Sequence, residues 1–212
     1  AINYIQKLIK VVPVQTQIGY ACLNVTLPEK YSDLGNEGID LLLLVSTESN
    51  MTEMANANPC GIVDATTGRP IVGQVRINEE FINLSMENYT SLVSAVLHEI
   101  HHILAMNDAL FGRFIDPATN IPLQLSKVVQ NVKMRGVETQ IIVLPKLVEY
   151  AREYFACDSL MGIELENQGG EGTIGSHWER RILGDEFLTA SDMTLSKISN
   201  FTLILLESTG WY

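Results

Sequence analysis

Between Thr90 and Met106 the apolar residues Leu92, Val93, Val96, Leu97, Ile100, Ile103 and Leu104 return every three or four positions, the rhythm of a buried helix. The same rhythm at the start of the chain, Ile2, Ile5, Leu8, Ile9 and Val12, predicts an amphipathic helix over residues 2–12 that Pro13 ends. Strand-like runs over 19–27, 39–46 and 71–77 lie between these helices, separated by clusters of Gly, Asn, Asp and Pro. This succession predicts an α+β fold whose mixed sheet has one face covered. Residues 112–136 show no firm periodicity and read as a long surface excursion. A short strand over 140–144, a helix over 145–157, a glycine-rich loop over 166–175 and a last helix over 198–208, stopping at Gly210, complete the expectation.

At 212 residues the chain can form one large domain or two lobes sharing a cleft, with a core that needs no disulfides. Its 14 Lys plus Arg against 25 Asp plus Glu give a net charge of -11, which repels phosphate backbones and sets nucleic acid aside as a partner. The apolar runs fall far short of the ~20 residues that cross a bilayer, so membrane association is expected only through segments outside this chain. With neither a basic lead nor a small-residue cleavage site at its start, the sequence reads as a mature or excised piece. Acceptor patterns for N-glycosylation begin at Asn24, Asn50, Asn83, Asn88 and Asn200, and they favour a secreted or cell-surface protein. The three cysteines, Cys22, Cys60 and Cys157, are too few for a disulfide scaffold; one is unpaired or bonded outside the chain, unless all three are buried thiols.

The chemistry concentrates in HEIHHILAMN, residues 98–107, which holds three of the four histidines. His98 and His102 stand four apart, so both imidazoles leave one helix face and can reach one ion at about 2.0–2.1 Å. Glu99 is turned by roughly 100°, beside the ion rather than on it, where it can accept a proton from water. This is the H-E-x-x-H pattern of zinc peptidases, with Zn2+ the expected cofactor. His101 points off that face and reads as a packed neighbour.

A catalytic zinc needs a third protein ligand and an open position. His177 is the remaining histidine, and Glu138, Glu149 and Glu153 are also available on spacing. Gly169, Gly170, Gly172 and Gly175 precede His177 and permit the φ > 0 turns that swing a loop residue onto a helix face, which favours His177 and leaves the glutamates open.

The string GIELENQGGEGTIGSHWERRILGDEFLTAS, residues 162–191, together with HEIHHIL, TTGRPIVGQVRIN, IQKLIKVVPV and FTLILLESTGWY, resembles the leishmanolysin family of metzincin zinc peptidases over nearly the whole chain. The resemblance implies a cell-surface or secreted endopeptidase acting on protein or peptide substrates. His98, His102 and His177 would be its metal ligands and Glu99 its catalytic base. It implies a metzincin-like fold: residues 1–107 as an N-terminal catalytic lobe with the zinc helix, and 108–212 as an insertion plus a mostly irregular and helical second lobe, across the cleft, bringing the third ligand. The 71–77 strand would be the edge along which substrate pairs. An inhibitory propeptide and a cysteine-rich C-terminal domain, usual in the family, are absent from this sequence, and Cys157 would pair with a cysteine beyond Tyr212. Ala105 and Leu188 depart from the family pattern. Ala105 replaces the glycine that ends the zinc helix, which moves the expected helix end to the more permissive Asn107; Leu188 replaces the methionine beneath the metal and keeps an apolar floor. A chain with these exchanges is alternatively a catalytically impaired surface or assembly glycoprotein.

Overall fold

The computed structural model describes residues 1–11, 13–14, 22, 31, 38–61, 63–82, 86–170, 172–190 and 196–212. The chain forms two compact units, residues 1–104 with Tyr212 and residues 105–211. Both mix helix and strand around small sheets.

In the first unit, α1 (Ile2–Leu8) precedes β1 (Leu42–Glu48), β2 (Ala55–Pro59), β3 (Val72–Asn78) and α2 (Met86–Leu104). The sheet order is β1-β3-β2, with β1 parallel and β2 antiparallel to β3. Helix α1 stops four residues before the expected end, and Ile9 is already extended at φ -105, ψ 131. Ile9 and Val11 are β-branched, and Pro13 biases its predecessor against helix, which disfavours continuing the helix past Leu8; Val12 lies outside the described residues. The 71–77 run is β3, which has a neighbour on each side and is therefore the central strand, not an edge. Most of the 19–27 run lies outside the described residues. Cys22 is bonded to Cys60 and packs with Val14, Ile71 and Val72 in a buried cluster.

Helix α2 lies close over β3 at one glycine. A β-carbon on Gly73 would stand 2.5 Å from Ile103 Cδ1 and 2.6 Å from its Cγ2, well inside the ~3.5–4.0 Å of ordinary carbon contact.

The second unit holds α3 (Asp108–Phe111), β4 (Val129–Met134), β5 (Val137–Ile142), α4 (Pro145–Tyr154), β6 (Ile163–Glu164), α5 (Arg180–Leu183) and α6 (Asn200–Ser208). Its antiparallel sheet runs β4-β5-β6. The 112–136 excursion is thus partly regular, since its last third is β4. The β4–β5 turn places Arg135 and Gly136 at φ 51 and 82, the paired left-handed geometry of a tight hairpin. Helix α4 has Pro145 in its first turn, where a missing N–H costs nothing, and α6 starts on a Ser199 cap.

Candidate metal centre

Helix α2 places His98 and His102 as the four-residue spacing requires. Their Nε2 atoms are 3.0 Å apart and their rings meet at 74° with centroids 4.7 Å apart. Two nitrogens sharing a tetrahedral zinc at about 2.0–2.1 Å stand roughly 3.3 Å apart, so the pair fits one ion. His101 is buried, and its Nδ1–H donates to the Leu97 carbonyl at 2.7 Å. Burial pushes its pKa down to about 4, which keeps it a neutral, packed imidazole.

His177 lies in the second unit. Glu166 N donates to the His177 carbonyl at 2.9 Å on one flank, and Trp178 N donates to the Leu188 carbonyl at 2.9 Å on the other, so the histidine rides on a short strand-like segment. The loop before it turns through Gly169, Gly170, Gly172 and Gly175, all at φ between 76 and 92, where a side chain would be strained. Asn167 N and Gln168 N both donate to the Glu166 carboxylate at 3.0 Å and close the loop's entry. The loop returns the Thr173 carbonyl to 3.1 Å from His177 Nδ1. Ser176 Oγ lies 3.2 Å from the same nitrogen and donates to Gly172 O at 2.8 Å. A proton on Nδ1 directed at Thr173 O leaves Nε2 with its lone pair available, the tautomer that metal-ligating histidines adopt.

His98, His102 and His177 form a group whose ligand atoms all lie within 4.8 Å of one another and which could hold a metal ion. Three imidazole nitrogens suit a borderline-soft divalent ion. Glu138, Glu149 and Glu153 are exposed and outside that group.

Glu99 is largely buried, and that burial raises its pKa to about 8; the charge of Glu53 adds to the effect and the Ala57 backbone N–H offsets part of it. The β2 register explains that donor. Asn78 N bonds Met54 O and Cys60 N bonds Val72 O, so the even-numbered residues of β2 form the hydrogen-bonded pairs. Ala57 faces Val75 in a non-bonded pair, which turns its amide away from β3 and toward the helix residue. A cation beside Glu99 would favour the charged form and draw its pKa back down.

The two departures from the resembled pattern, Ala105 and Leu188, are both buried. Helix α2 ends at Leu104 with no left-handed residue between Ala105 and Asp108. Asn107 is extended at φ -148 and caps α3 by accepting from Ala109 N at 3.0 Å, so it starts the next helix instead of ending α2. Tyr212 Oη donates to the Leu104 carbonyl at 3.1 Å, satisfying one of the carbonyls a helix end leaves open. Burial pushes the Tyr212 hydroxyl up, and Arg69, hydrogen-bonded to it, opposes that shift. Leu188 is buried and its carbonyl is bonded to the residue after His177.

Ala57, Thr173, Ser176 and Tyr212 went unseen in the sequence. The alternation Ala55-Asn-Ala-Asn58 was a signal for β2, weakened because alanine is a small hydrophobe. Nothing local could have marked Tyr212, which meets its partner 108 residues away.

The leishmanolysin family model matches residues 1–212. A leishmanolysin-like peptidase of Drosophila pseudoobscura pseudoobscura is 36% identical over 177 residues, covering 70% of this chain and 26% of that protein. A leishmanolysin homolog of Crithidia fasciculata is 33% identical over 193 residues, 90% of this chain and 27% of that protein. Leishmanolysin of Leishmania major is 28% identical over 204 residues, 94% of this chain and 31% of that protein. The chain therefore spans between a quarter and a third of the length of these relatives. On a family match that runs from its first residue to its last, the chain belongs to the leishmanolysin family.

Proposed function

We propose that this chain is the catalytic portion of a zinc-dependent endopeptidase of metzincin type that cleaves protein or peptide substrates. The observation that carries this reading is the three-histidine group, with ligand atoms within 4.8 Å of one another. Residues 1–107 supply His98, Glu99 and His102, and residues 108–212 supply His177. A zinc ion held there would supply Lewis acidity, lowering the pKa of water to about 7 and polarising the scissile carbonyl. Glu99 takes the proton of the attacking water and passes it to the leaving amine. Its burial, which raises its proton affinity, suits both halves of that transfer. His101 stays outside the chemistry. An extended substrate would pair with an edge strand, β1 or β2, rather than with β3, which already has two neighbours.

A secreted or cell-surface location fits the Cys22–Cys60 bond, since disulfides persist mainly in oxidising compartments, and Asn50, an exposed residue in the turn after β1. Among the described residues no helix is long and apolar enough to cross a membrane. Asn24 and Asn83 lie outside the described residues. Asn200 is exposed, but its acceptor-motif Thr202 is buried.

The test is metal analysis with a casein or generic-peptide assay on the full-length protein. Glu99→Gln should keep zinc and lose ~10²–10⁴-fold in turnover, the usual contribution of a general base. Full activity in that variant would remove Glu99 from its role. Stoichiometric zinc with no cleavage across a broad peptide library would instead favour an impaired surface or assembly protein.

A further inference from the structure

The segment carrying His177 is tied down by a carboxylate that takes no part in the chemistry above. Glu186 is buried. Its Oε1 accepts from Thr202 Oγ1 at 2.5 Å, Ser199 Oγ at 3.0 Å and Ser199 N at 3.4 Å, and its Oε2 accepts from Leu188 N at 2.5 Å. All four donors are neutral. Thr202 Oγ1 in turn accepts from the indole Nε1 of Trp178 at 3.1 Å, and Trp178 is fully buried and adjacent to His177.

One side chain therefore joins three pieces of backbone: the turn at Leu188, the first turn of α6, and, through Thr202, the residue that follows the histidine. A buried carboxylate is strongly disfavoured when its lone pairs go unmet, so the network holds its geometry only when all members are present. Without that hydrogen bond the buried indole loses a tie that fixes Trp178, and with it the backbone on which His177 stands.

We propose that Glu186 is a positioning residue for the metal centre, holding His177 in its ligating orientation through Thr202 and Trp178 on one side and Leu188 on the other. The inference rests on the reading of His177 as a ligand. Thr202→Val keeps the side-chain shape while deleting the hydroxyl that links Glu186 to Trp178; Thr202→Ser keeps the hydroxyl. On the full-length protein, zinc affinity is measured by chelator competition, the visible spectrum is recorded after cobalt substitution, and the thermal midpoint is taken without metal.

Thr202→Val should bind zinc ~10–100-fold more weakly, the usual effect of losing an outer-shell partner, and its cobalt spectrum should change, while Thr202→Ser restores both. A folded Thr202→Val with unchanged affinity and spectrum overturns the inference, even if its thermal midpoint falls, because that outcome marks a merely structural role. Should Thr202→Val not fold, Glu186→Gln is read by the same criteria, since it keeps the volume but turns one acceptor atom toward Leu188 N into a donor. Wild-type protein that takes up no zinc overturns the ligand reading and this inference together, whereas zinc-binding wild type with unaffected variants overturns the inference alone.

Discussion

Replacing Gly73 with alanine puts a methyl group where Ile103 already stands. The added carbon would lie 2.5, 2.6 and 2.9 Å from three Ile103 side-chain carbons, so about 1 Å of separation must open between β3 and α2. Ile103 is fully buried and cannot swing into solvent. Forced overpacking of this kind costs about 1–3 kcal/mol. The lower chain entropy of alanine in the unfolded state returns about 0.4–1 kcal/mol. The net expectation is a loss of about 1–2 kcal/mol, which for a chain of this size lowers the thermal midpoint by ~2–8 °C. Ile103→Ala alone should cost about 2–5 kcal/mol, and the double variant should be less destabilised than the sum by ~1–2 kcal/mol, because the new methyl fills part of the vacated space. Because His102 precedes Ile103 on α2, zinc affinity should fall in the single glycine variant and recover in the double. Urea unfolding followed by far-UV circular dichroism, with chelator competition for zinc, measures both effects. A Gly73→Ala protein as stable as wild type, or strict additivity in the pair, would refute the reasoning.

Other outcomes follow from features elsewhere in the molecule. Tyr212→Phe strips the Leu104 carbonyl of its donor and Arg69 of a partner; denaturant titration should show a loss of about 1–3 kcal/mol, the cost of an unmet buried group. Replacing Cys22 and Cys60 with serine reopens a loop of 38 residues, and the chain-entropy relation then gives a loss of about 4 kcal/mol. The Arg181 guanidinium holds Glu179 below its ordinary 4.5. A depressed folded pKa means that the pair's contribution is present above about pH 4.5 and disappears as pH falls through the folded value, so Glu179→Gln should flatten the acid side of a stability-against-pH curve. A glycosidase-sensitive mass shift that Asn50→Gln abolishes would support passage through a glycosylating compartment.

What the sequence made legible was periodic or chemical. Helix α2 and the His98, Glu99, His102 arrangement followed from spacing alone, because 3.6 residues per turn leave little choice of face. The mixed strand-and-helix class followed from the succession of patterns. Strand β2 escaped notice because Ala55 and Ala57 contribute little hydrophobic signal, and β4 because Arg135 stands where a tight turn usually shows Asn or Asp. The rank of β3 in its sheet is a tertiary fact that no strand pattern contains. The choice between His177 and three glutamates stayed open on residues alone, since loop closure through Gly169 to Gly175 sets a direction that composition cannot.

The first unit reaches from residue 1 to Leu104 and then waits for Tyr212. During synthesis the ribosome must therefore produce all of 105–211 before the phenol that closes the end of α2 exists. Nascent chains arrested just short of that tyrosine would leave the Leu104 carbonyl without its phenol donor, so this closing contact of the histidine helix forms late in the translation of this segment.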